Sequence, residues 1–225
     1  MRRVVHAEWT KLRTAPDTAW LPLVAVVLTV GLGATVSAAA TPDTSACAGG
    51  CDAARLSLSG VLLGQVAVVA FAVRAITGEY RTGLLGVTLA ATPQRLVVYA
   101  AKTAVLTAVA LATGVLAVAG SLVVGRILAP FAFRPGPPLG AVGYLGLIAL
   151  LAFGLATVVR HPPPALVTVL ALLYLPPLLA RFVPDERWHA RIERFAPMTA
   201  PPAVLAAEAG TALLVAAAVF ARRDP

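Results

Sequence analysis

The residues able to do chemistry are few and scattered. His6, His161 and His189 lie far apart, and no H-E-x-x-H pair is present to hold a catalytic zinc. The serines sit in or beside apolar stretches, with no G-x-S-x-G elbow and no charged partner nearby. Gly78-Glu79-Tyr80-Arg81-Thr82-Gly83 has the glycine spacing of a phosphate loop, but Leu84-Leu85 follow where a lysine and a hydroxyl residue are required. The chain is therefore expected to be non-catalytic, with no metal or cofactor of its own. Two features remain. Glu208 is the only acidic residue expected well inside an apolar block, where it could serve a carrier, snorkel to the surface or pair with Arg181. Cys47 and Cys51 are the only cysteines; in an oxidising exterior they could form a disulfide across Gly49-Gly50, or stay as free thiols. A metal there would lack the further ligands of a tetrahedral site.

The elements that would position these groups are set by composition. The chain has 225 residues, 59% hydrophobic and 12% charged, with mean hydropathy +0.86. Soluble domains carry about 25% charged residues, so this is a membrane protein. The apolar residues form blocks without the in-out alternation of a barrel strand, which leaves α-helices to do the spanning. Six blocks are expected to cross, at about 19–40, 56–77, 98–124, 139–159, 165–183 and 203–221, within a single transmembrane domain over 1–225. The first mimics a signal peptide down to Ala38-Ala39-Ala40, but its leader and apolar core are too long, so it reads as an uncleaved span. With both termini inside, eleven Lys or Arg fall on the cytoplasmic side and seven outside, four of the seven in one segment around Arg187, Arg191 and Arg194. The net charge of +8 is then explained by topology and anionic lipid, with no nucleic-acid partner.

Two further helices should lie on the membrane. In the leader, Val5, Trp9 and Leu12 share a narrow face while Arg2, Arg3, His6, Lys11 and Arg13 take the rest, which suits an interfacial helix with Trp9 at headgroup depth. Trp188, Ile192 and Phe195 form a similar stripe on the outer side. Pro162-Pro163-Pro164 predicts a tight inner turn, and Pro176-Pro177 predicts a kink or early end in the fifth span. Gly60 and Gly64 have the G-x-x-x-G spacing of close helix packing, between two chains or within one.

The densest polar information runs from Arg74 to Lys102. Leu63-Gly64-Gln65, Ala75-Ile76-Thr77-Gly78-Glu79-Tyr80-Arg81-Thr82-Gly83, Thr88-Leu89-Ala90-Ala91-Thr92-Pro93-Gln94-Arg95 and Ala101-Lys102 closely resemble the permease subunits of actinobacterial ABC-2 type transporters. Glu8-Trp9-Thr10-Lys11-Leu12-Arg13-Thr14 and the closing Arg222-Arg223-Asp224 resemble them too, in the same order along the whole chain. The resemblance implies an ABC-2 permease-like all-α fold. It implies two permease chains, identical or different, in a bacterial cytoplasmic membrane, driven by a separate ABC ATPase that binds ATP and Mg.

Such a chain would be an exporter subunit coupled through the cytoplasmic 78–97 loop, where Leu84, Leu85, Val87 and Leu89 seat in a groove of the ATPase. Glu79, Tyr80, Arg81 and Arg95 would complete the coupling element, with Glu79 and Arg81 fixing its register. Spans nearly free of charge favour a lipid, amphipathic peptide or apolar drug as cargo. A non-transporting scaffold or sensor that holds a cytoplasmic partner is the alternative, and a proton-coupled secondary carrier using Glu208 the third.

Overall fold

The computed structural model describes residues 2–39, 58–91, 94–128, 138–182 and 185–222. Among them all regular structure is helical: α1 (Arg2–Thr14), α2 (Pro16–Ala19), α3 (Leu21–Ala39), α4 (Val61–Thr82), α5 (Leu84–Ala91), α6 (Arg95–Leu128), α7 (Pro138–Val159), α8 (Pro162–Ala180), α9 (Glu186–Phe195) and α10 (Pro202–Arg222). Six of these, α3, α4, α6, α7, α8 and α10, are long and apolar enough to cross a membrane. At about 1.5 Å per residue, the 34 residues of α6 exceed the thickness of the hydrocarbon. Cys47 and Cys51 lie outside the described residues.

Two expected boundaries move. The second span was placed at 56–77 with a loop from 78, but α4 continues as helix to Thr82. The polar residues of the T-x-E-Y-R segment therefore form its last turns. Their helix is kept satisfied by Thr77 and Thr82, whose hydroxyls donate back to the carbonyls of Val73 and Gly78 at 2.7 and 3.0 Å. Gly83, with φ +68°, then reverses the chain into α5, a conformation that a side chain resists. The second shift concerns Pro176-Pro177, which neither break nor end α8; it runs on to Ala180. Proline's fixed φ is helical, and the residues that lose a donor lie within the last two turns, so little helix remains beyond them to be disturbed. The expected tight turn at Pro162-Pro163-Pro164 is present: α7 ends at Val159, α8 begins at Pro162, and the prolines occupy first-turn positions, where their missing N–H costs no intrahelical bond. Arg160 carries that turn at φ 67°, unusual for a non-glycine.

The helical contacts fall into two compact units. Met1–Ala19, Val69–Ala108 and Leu147–Pro225 form one; Trp20–Val68 and Val109–Gly146 form the other. The second unit is held by close backbone approach. A Cβ at Gly60 would collide with the Thr29 carbonyl of α3, and one at Gly64 with the Thr29 hydroxyl, so the G-x-x-x-G pair packs within the chain. Gln65, fully buried, accepts a hydrogen bond from the Tyr144 hydroxyl. In the first unit Ile76, Leu85, Leu106, Phe153, Leu173 and Leu205 are among the buried core side chains. The Tyr99 ring sits between Phe153 of α7 and Phe220 of α10, with centroids 5.6 and 5.4 Å away.

Candidate functional site

The first unit gathers four charges in one place and buries three of them. Glu8 is 2% exposed, Lys102 3% and Glu79 8%, values that ionisable side chains reach only when paired. Lys102 of α6 lies between the two carboxylates: its ammonium donates to Glu79 Oε1 at 2.6 Å and to Glu8 Oε2. Lys11, one turn after Glu8 on α1, donates to Glu8 Oε1 at 2.8 Å, stands 3.7 Å from Glu79 Oε1, and donates to the Thr88 hydroxyl of α5 at 2.8 Å. Thr88 in turn donates to the Leu84 carbonyl. Two carboxylates and two ammoniums thus balance in charge and tie α1, α4, α5 and α6 together. Burial is the strongest single influence on Glu8 and raises its carboxyl pKa, but Lys102 and Lys11 together outweigh it and hold the group below the usual 4.5.

The residues expected in the coupling element divide into two groups. Glu79 and Leu85 face inward, Leu85 at 2% exposure, so neither is presented to a partner in this arrangement. For Leu85 to seat in a partner's groove, or Glu79 to fix the register against that partner, each would have to leave this buried position. The helical turn set by Gly83 sends Leu85 into the core and leaves Leu84 and Val87, three positions apart, on the exposed face. Arg81 is exposed; Leu89 and Arg95 are half-buried. Tyr80 lies under the Arg160 guanidinium, 5.2 Å from its ring centroid, and joins the end of α4 to the α7–α8 turn.

On α1 the packed face runs through Val5, Glu8, Lys11 and Leu12, while Trp9 at 48% and Arg13 are exposed. Val5 and Leu12 therefore do not share Trp9's environment, because Glu8 and Lys11 pull the helix onto the charge cluster. On α9, Trp188 and Phe195 are exposed, Asp185 caps the first turn through the Arg187 N–H at 2.9 Å, and Arg191 lies 5.5 Å from the Trp188 ring centroid. Glu208 on α10 makes no ion pair with Arg181, and its Oε2 is buried without a hydrogen-bond partner among the described residues.

Sequence reasoning missed Glu8, Thr88 and Lys102 as parts of a site. The available signal was Glu8 and Lys11 at helical spacing in the leader, and Glu79 and Lys102 at opposite ends of the segment between two apolar blocks. Among the described residues no group of three or more His, Cys, Asp or Glu could hold a metal ion. No protein-family model and no curated protein sequence matches this chain.

Proposed function

We propose that this chain is the membrane-spanning subunit of an ATP-driven exporter of the ABC-2 type, working as a second permease chain's partner and moved by a separate ATPase. The observation that carries the reading is the salt-bridged footing of α5. A short helix between two long apolar ones is joined through Thr88 and Lys11 to Glu8, Glu79 and Lys102, so a push on α5 reaches α4 and α6 without passing through loose chain. Its outward Leu84 and Val87 supply the apolar contact for a motor. Glu79 then works from inside, as an anchor of the lever. A cavity of about 300 Å³, lined by Lys11, Leu12, Arg74, Glu79, Thr82 and Leu84 among others, borders the cluster and leaves room for α5 to rock.

In this reading both termini are cytoplasmic, and α1 and α9 lie at opposite membrane surfaces with Trp9 and Trp188 at headgroup depth. Arg74, Arg81 and His161 face a second cavity of about 460 Å³ with no acidic residue among those lining it, a setting that accommodates inner-leaflet anionic headgroups.

The test is co-purification of the full chain from its native membrane, with the bound chains identified by mass spectrometry. A partner with a Walker A loop should accompany the wild type and be lost from Val87→Asp, whose folding should be unaffected because Val87 is 67% exposed. Retention of that partner by Val87→Asp would remove α5 from the contact, and absence of any such partner from the wild type would favour the scaffold.

A further inference from the structure

Glu208 lines a groove of about 450 Å³ formed by α7, α8 and α10. Its remaining walls are apolar or small, Leu151, Leu155, Leu172, Ala212 and Val215 among them, and Glu208 is the only ionisable side chain in the lining. The groove exists because α7 and α10 approach closely beside it: a Cβ on Gly154 would stand 2.9 Å from the Ala212 backbone. Leu172 and Val215 remain partly exposed at its mouth, on surface that faces lipid if these helices span. Thr211, the other polar residue there, commits its hydroxyl to the Glu208 carbonyl at 2.9 Å and offers the carboxyl nothing. Among the described residues nothing answers Glu208 Oε2, which is buried six residues into an apolar helix.

A carboxyl placed there and left without a partner is costly, and the shape of the site says what would answer it. An inorganic cation needs several oxygens, and only one carboxyl is present. A zwitterionic headgroup would bring a phosphate for which the lining has no cation. A neutral apolar molecule would fill the walls and leave the oxygen unpaired. We propose that this groove binds an organic monocation with an apolar body, its charge set against Glu208 and its body against Leu151, Leu155, Leu172 and Val215. The site is distinct from the α5 footing and does not rest on the transport reading; if that reading holds, the groove narrows the cargo to lipophilic cations.

The probe is tetraphenylphosphonium, with tetraphenylborate as a control of the same size and opposite charge. Binding is measured on the full-length chain in phosphatidylcholine nanodiscs, without nucleotide or ATPase, against empty discs. Saturable binding of the cation is expected, weakened about tenfold in Glu208→Gln and also weakened in Val215→Trp, which blocks the walls and leaves the carboxyl in place. Tetraphenylborate should show no saturable binding. The proposal is overturned if Glu208→Gln binds as the wild type does, if both ions bind equally, or if the wild type shows no saturable site, as expected where acyl chains or a second copy of the chain fill the groove. Monodisperse elution of both variants separates lost binding from lost folding, and failure here leaves the ATPase co-purification result untouched.

Discussion

Glu8 and Glu208 are both carboxyls at the edge of apolar structure, and the molecule treats them in opposite ways. Glu8 meets two ammoniums, from Lys11 and Lys102, and through Lys102 it shares a site with Glu79. Among the described residues Glu208 meets none, and one of its oxygens is buried with no partner there. The first arrangement joins elements distant in sequence, since Glu8 and Lys102 are 94 residues apart. The second joins no other described element. A buried charge that is answered internally holds the fold; an oxygen left unanswered carries a cost that a bound cation can offset.

The largest effect should come from removing the central ammonium. Lys102→Met leaves Lys11 as the single ammonium beside the Glu8 and Glu79 carboxylates and should cost about 3–5 kcal/mol, read as a fall in thermal midpoint or as loss of folded protein in detergent. Adding Glu8→Gln and Glu79→Gln to Lys102→Met removes the excess buried negative charge and leaves only Lys11, whose side chain is 25% exposed and reaches solvent, so most of that loss should be restored. If the triple variant is no more stable than the single one, the cluster acts by packing rather than charge. On the other side of the comparison, Glu208→Leu should stabilise the chain by about 1 kcal/mol, since it removes an unsatisfied buried group from an apolar wall. A loss at this position would mean that the carboxyl is answered internally after all.

The smallest effect is the dependence on pH. Because the folded pKa of Glu8 lies below its ordinary 4.5, this group's contribution is fully present above that value and is lost as pH falls through the lowered folded pKa. Thermal unfolding followed downward from neutral pH should show the midpoint falling in the acid range, and Glu8→Gln should begin lower and fall less.

The six long helices were legible because hydrophobicity alone marks a segment that must satisfy its own backbone bonds. The end of α4 was not, because Glu79 and Arg81 look like residues of an aqueous loop; Thr77 and Thr82 bonding back to the helix, and Gly83 taking the positive φ, carry it five residues further. The charge cluster was half legible. Glu8-Lys11 and Glu79 were visible as charged residues beside apolar blocks, but nothing local says that a lysine 94 positions from Glu8 will sit between the two acids. In the leader, periodicity groups Val5, Trp9 and Leu12, but it does not show that Glu8 and Lys11 lie on the packed side with Val5 and Leu12 half-buried and Trp9 exposed. Glu208 was singled out correctly as the acidic residue within an apolar block, yet its surroundings depend on how α7 and α10 meet at Gly154 and Ala212, which no single segment encodes.

Charge pairing fastens the leader helix to α4 and α6. A double-mutant cycle on Glu8→Gln and Lys102→Met, measured by unfolding of the full chain in detergent, addresses it directly. A coupling energy of about 1.5 kcal/mol or more is expected. Single effects that add to within about 0.5 kcal/mol would show that the two side chains do not depend on each other, and the leader would then be held by something else.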